Sequence, residues 1–166
     1  LMAFRIAWFK VYHPLAFYAA YFSIRAKAFD LRIMTGDLKT QMTEFNRIKA
    51  LDRSASPKDK DLMSALEVSM EMYQRGYRFV NVDIQHSEAR RFSIKDGALL
   101  PPFLAIDSLG ETVADAIVAE REERPFTSLK DLQRRCKVSN TIIDLMKELK
   151  CCGELPEDEQ MSLFGA

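Results

Sequence analysis

Residues 106–122 read IDSLGETVADAIVAERE, with a single glycine, Gly110, between an apolar residue and a good helix. How this stretch divides decides the fold. Val113, Ala116 and Ile117, with Val118 at the edge, recur at three- and four-residue steps with charged residues between them. That spacing predicts an amphipathic helix. The half before it, Asp107-Ser108-Leu109-Gly110, is a tight turn that ends at a helix start, whose first amides have no intrahelical partner. Such an end takes a capping side chain or an anion.

Working outward, the same arrangement recurs downstream in weaker form. Within LQRRCKVSNTIIDLM, helix-forming segments flank Lys137-Val138-Ser139, with Val138 in the place of Leu109 and Ser139 able to cap the last helix. Residues 125–150 carry six Lys/Arg (130, 134, 135, 137, 147, 150) against three acidic residues (131, 144, 148). Ser128-Leu129-Lys130-Asp131 reads as a capping box, and so does Ser56-Pro57-Lys58-Asp59, which opens a helix through Leu62, Leu66 and Met70 that Gly76 ends. Residues 35–51 predict a helix with Leu38, Met42, Phe45, Ile48 and Leu51 on one side. Residues 1–28 predict two aromatic-rich helices, the second opened by Pro14. Between these helices, YRFVNVDI and RFSIKDGALL change to a strand pattern, with Asp96-Gly97 as a β-hairpin turn. The fold class is mainly α with a small β element, and the acidic ELPEDE stretch after Gly153 reads as an unpacked, flexible tail.

The totals bound the function. The chain has 166 residues, 48% of them hydrophobic and 29% charged, and its net charge is zero. It is globular, and any binding to nucleic acid must come from local patches rather than bulk charge. Lys10, His13 and Pro14 interrupt the apolar run AWFKVYHPLAFYAAYF before the roughly 18 residues a membrane span needs, so no membrane partner is expected. Cys136, Cys151 and Cys152 are an odd set with no zinc-ligand spacing and read as reduced thiols. Asp83 has no acidic partner nearby and reads as structural. No catalytic or metal-ligating residue is assigned. Leu1 begins inside a running helical pattern, which is expected of a piece of a larger protein.

The segment from Pro101 resembles the helix-hairpin-helix motif, in which a turn between two helices presents backbone amides to a DNA phosphate. On that resemblance Leu109 is the apolar plug, and Gly110, Thr112 and Val113 lend their amides, with Ser108 standing at the usual first glycine. In the second turn Arg134, Arg135, Lys137 and Ser139 are the candidate DNA contacts. Such contacts position a protein without reading sequence.

The terminal QMSLF, residues 160–164, is similar to the sliding-clamp-binding peptide of bacterial replication proteins, with Gln160 at a pocket rim, Met161 where leucine is commoner, and Leu163 and Phe164 filling the pocket. RIAWFKVYHPLAFYAAYFSIRA, RGYRFVNVDIQHS, LLPPFLAIDSLGETVADAIV and FTSLKDLQRRCKVS, in that order and spacing, resemble the C-terminal end of PolC-type DNA polymerase III. The resemblance implies the end of the fingers region at 1–30, a helical and β connecting part of the duplex-binding region at 31–100, tandem helix-hairpin-helix at 101–153, and a flexible tail with the clamp peptide at 154–166. It further implies duplex DNA, the sliding clamp and the rest of the polymerase chain as partners, in the cytoplasm. The family's metal-binding aspartates and 3′–5′ exonuclease lie upstream; Mg²⁺ belongs to the full-length enzyme, and this segment needs no cofactor. The alternatives are a separate helix-hairpin-helix DNA-binding module of uptake or repair, and a scaffold whose hairpins only pack helices.

Overall fold

The computed structural model describes residues 1–158. The architecture is mainly helical with one two-stranded antiparallel sheet. The first two helices, α1 (Met2–Tyr12) and α2 (Pro14–Ile24), break at His13, where φ −132° and Pro14 at the first helical position leave the backbone no way to continue. α1 buries no residue, whereas α2 buries Tyr18 and Phe22. Phe22 is the hub of an aromatic cluster: its ring centroid lies 5.0 Å from Phe79, while Phe29 lies 4.9 Å from Phe79 and 5.0 Å from Phe92.

After the one-turn α3 (Leu31–Met34), helices α4 (Leu38–Leu51) and α5 (Pro57–Gln74) pack as a pair. α4 starts three residues later than expected because the Asp37 carboxylate accepts from Thr40 N at 2.7 Å and so fixes the cap. Its expected apolar stripe is only partly its buried face: Ile48 is buried, but Met42 is 47% exposed and Gln41 takes an interior place. A buried amide needs partners. Gln41 has them, donating to Met34 O at 3.0 Å and accepting from Ser69 Oγ at 2.6 Å. α5 opens with the reciprocal box of Ser56 and Asp59, and Gly76 at φ +85° lets Tyr77 N reach back to Met72 O at 3.1 Å and end it.

Strands β1 (Ser93–Lys95) and β2 (Ala98–Leu100) pair around Asp96 and Gly97, both at positive φ as the tight hairpin turn requires. The earlier apolar run, YRFVNVDI, is not a full strand. It makes one parallel bridge, Phe79 to Leu99, and then leaves the sheet. Local side-chain acceptors draw it away: Asn81 Oδ1 takes Val82 N, and Asp83 takes Gln85 N at 2.8 Å, starting a turn instead of a ladder.

The last three helices are α6 (Glu111–Glu123), α7 (Leu129–Cys136) and α8 (Asn140–Glu148). Leu109, Ile117, Leu132, Val138 and Met146 are buried in the same continuous core as the aromatic cluster. All three cysteines are free and buried. Residues 155–158 are not unpacked. Pro156 O and Glu157 O accept from Leu129 N and Lys130 N at the start of α7, and Leu155 packs on the core. Among the described residues no helix is long and apolar enough to cross a membrane.

Candidate nucleic-acid interface

Both inter-helical turns have one backbone shape. Ser108 stands at φ +63° and is exposed, Leu109 is buried, and Gly110 is the extended N-cap of α6 at φ −73°, ψ 153°. In the second turn Lys137 stands at φ +54°, Val138 is buried, and Ser139 caps α8 at φ −70°, ψ 155°. A left-handed residue, an apolar plug and an extended cap therefore recur in the same order. The plug explains the shape: one left-handed residue turns the chain so that the next side chain is buried and the residue after it can start a helix.

The caps differ in a way that matters for ligands. Ser139 Oγ accepts from Ile142 N at 3.3 Å, so the second helix satisfies one of its own amides. Gly110 makes no side-chain cap, and the first intrahelical bond of α6 is Ala114 N to Gly110 O at 3.0 Å. The amides of Glu111, Thr112 and Val113 therefore lack an intrahelical acceptor. Gly110 does not need to be glycine for its conformation, since its φ is negative and a Cβ built there meets nothing within 4 Å. What glycine does here is leave open the space in front of those amides, the arrangement that binds anions at helix starts.

The basic residues near the second turn have separate positions. Lys137 is exposed at the turn itself, and Arg134, 71% exposed at its side chain, also pairs with Asp131 Oδ1 at 3.0 Å. Arg135 is turned inward: only 12% of its side chain is exposed, it binds Glu120 Oε2 at 2.9 Å, and it lies over the Phe126 ring at 4.8 Å. The fully buried Asp131 carboxylate is the centre of this group, facing Arg124, Arg134, Arg135 and Thr127 N. Burial alone would raise its pKa. The Thr127 amide, the two guanidinium hydrogen bonds and the Arg124 charge outweigh burial and hold the carboxyl below the ordinary aspartate range. This knot ties α7 to the end of α6 and sets the two turns relative to each other.

Sequence spacing located the cationic residues of the second turn because they are contiguous. It missed Lys27 and Arg90, which reach Glu111 at the start of α6 at 3.3 and 2.9 Å. No periodicity links residues 27, 90 and 111. Gln160, Met161, Leu163 and Phe164 lie outside the described residues.

Asp83 is hydrogen-bonded by Lys95 Nζ at 2.9 Å and Gln85 N, and it pairs with His86 at 2.6 Å. Among the described residues no group of three or more His, Cys, Asp or Glu could hold a metal ion.

Two short helical hairpins, each with a buried apolar plug just ahead of a helix cap, define a helix-hairpin-helix protein. Residues 76–160 match the helix-hairpin-helix motif family, and the chain belongs to it. More particularly, the chain is 45% identical over 164 residues, 99% of its length, to the PolC-type DNA polymerase III of Caldanaerobacter subterraneus subsp. tengcongensis. It is 46% identical over 167 residues to that of Streptococcus suis. It spans 12% and 11% of those two relatives, so it corresponds to a small segment of a PolC-type polymerase.

Proposed function

We propose that this segment holds duplex DNA for a PolC-type replicative polymerase, gripping phosphates without reading bases. The observation that carries the reading is the uncapped start of α6, where Gly110 leaves three amides open beside a turn whose backbone shape is repeated at Lys137-Val138-Ser139. In this reading two of those amides, Thr112 and Val113, together with that of Gly110 before them, take one phosphate. Ser108 and Leu109 shape that turn, and Lys137, with Arg134 and Ser139, serves a second phosphate. Arg135 contributes by fixing the frame.

The remaining assignments follow from the kinship. Residues 1–30 end the fingers region, and α1 would find its cover in the rest of the polymerase, since a helix with Phe4 74% and Val11 63% exposed and no buried residue is suited to a larger core. Gln160, Met161, Leu163 and Phe164 bind the sliding clamp at roughly micromolar strength, about −8 kcal/mol for a peptide of this size. A weak grip on the clamp and another on DNA reinforce each other through effective concentration. Nucleotidyl transfer, its Mg²⁺ and the 3′–5′ exonuclease belong to parts of a cytoplasmic enzyme outside this chain.

A duplex titration at several salt concentrations tests the proposal. Binding should be indifferent to sequence, and log K should fall with log salt at a slope of about −0.9 per phosphate engaged. A flat salt dependence would remove the phosphate grip.

A further inference from the structure

The first turn poses an electrostatic problem that the second does not. No Lys or Arg lies between Lys95 and Arg121, while Asp107, Glu111 and Asp115 surround the open start of α6. All three are exposed, and Glu111 is the first residue of the helix whose amides are to hold an anion. On its own this stretch would repel a phosphate as its amides attracted it.

The tertiary structure brings two distant cations to this place. Arg90 binds Glu111 Oε2 at 2.9 Å and Asp115 through Nε at 3.0 Å, with its Nη2 on the other Asp115 oxygen. Lys27 reaches Glu111 Oε1 at 3.3 Å and remains 80% exposed. Both stand on segments tied to the chain that leads into the turn. Glu88 O and Ala89 O, just before Arg90, accept from Phe103 N and Leu104 N at 2.9 and 3.0 Å. Lys27 lies in the short 3-10 turn Ala26–Ala28, which packs on the 3-10 turn Phe103–Ala105 and whose Ala26 is buried. Lys27 also lines a cavity of about 500 Å³ whose lining includes Asp107, Ser108 and Leu109, with Arg32 and Lys58 elsewhere on it.

Resting on the phosphate-binding reading above, we infer that Lys27 and Arg90 complete the first DNA contact: Lys27 as a phosphate ligand, Arg90 as a positioning residue that neutralises Glu111 and Asp115 beside the open amides. The division of labour follows from geometry. Arg90 is spent on two carboxylates in a forked arrangement that favours a fixed pair. Its hydrogen bonds hold the Asp115 carboxyl below its usual range. Lys27 makes one long, exposed contact, and such a pair contributes little. Exchanging it for a phosphate oxygen loses almost nothing.

The test is the salt-dependent duplex titration in the intact protein, with Lys27→Gln, Arg90→Gln and, as charge-matched controls on the remote α4, Lys39→Gln and Lys49→Gln. Lys27→Gln should weaken binding about three- to tenfold and make the salt slope shallower by about 0.9, the loss of one phosphate contact. Arg90→Gln should weaken binding by a similar factor, through like-charge repulsion at about 6 Å. Adding Glu111→Gln and Asp115→Asn to Arg90→Gln should restore affinity, whereas adding the remote Glu44→Gln and Asp52→Asn at α4 should not. Variants that track the controls, or a rescue no better than the remote one, overturn the inference. Gly110→Asp in the same titration separates the two levels. If it binds as tightly as the parent, the phosphate site itself is wrong; if it binds weakly while Lys27→Gln matches its controls, only the role of the two cations falls.

Discussion

Replacing Gly110 by aspartate should move stability and DNA affinity in opposite directions. The N-cap backbone at φ −73°, ψ 153° is the extended conformation that capping residues adopt, and no atom lies within 4 Å of a new Cβ. A carboxylate there would accept from the amides of Thr112 or Val113 and meet the positive end of α6. A good cap exceeds glycine by a few tenths of a kcal/mol. For a chain of 166 residues this raises the melting temperature by about 1 °C. The same carboxylate fills the place of a phosphate and repels it. At about 5 Å that repulsion is worth roughly 1 kcal/mol in water-like surroundings and about 3 at an effective dielectric of 20. The expected loss of duplex affinity is therefore about 5- to 150-fold. A melt and a fluorescence-anisotropy titration at fixed salt, on the same preparation, read both quantities. Unchanged affinity together with a raised melting temperature would refute the reasoning, because the amides would then be closed with no cost to binding. A scaffold without a DNA role predicts that very result.

Other outcomes follow from the same geometry. Ser108→Gly should raise stability by about 1 kcal/mol and leave binding intact, since a non-glycine residue at φ +63° is strained; thermal melting checks it. Asp131→Asn should cost about 1–3 kcal/mol by denaturant unfolding, because Thr127 N and Arg135 lose their charged acceptor in the interior while Arg135 keeps Glu120. That contribution depends on pH with a definite sign. The folded-state pKa lies below the unfolded value, so the stabilisation is complete above about pH 4 and is lost as pH falls further. The gap between parent and Asp131→Asn should therefore narrow in unfolding curves run from pH 5 to pH 3. Burial pushes the Cys136 thiol up to about 11 and the Cys151 thiol up to about 12. Iodoacetamide at pH 8 should spare both in the folded protein and label them after denaturation, as read by mass spectrometry.

Much of the helical architecture was legible because it rests on interactions between near neighbours. The Ser56–Asp59 box, the Pro14 break, the Asp96-Gly97 turn and the Ser139 cap each involve residues within four positions of one another. The apolar plugs were legible too, since Leu109 and Val138 sit between helices whose periodicity marks the buried side. The reading weakened where the chain had a choice of partners. YRFVNVDI alternates like a strand, yet Asn81 and Asp83 satisfy nearby amides and end the ladder after Phe79. Gln41 falls outside the apolar stripe expected of this helix, and its interior place rests on Ser69 and Met34 O, 28 and 7 residues away. The acidic run after Gly153 reads as a free linker, but its first carbonyls close the start of α7.

By itself the sequence determined that two short helical hairpins exist, where each turn lies, and that PolC-type polymerases are the kin of this chain. The placement of the cations around them came from the tertiary structure alone. It turned Arg135 inward to Glu120 and Asp131 and brought Lys27 and Arg90 to a turn that has no positive residue of its own. The reason is range. Caps, turns and plugs are settled by steric and hydrogen-bonding rules that act within a few residues, whereas charge acts through space and takes no account of distance along the chain.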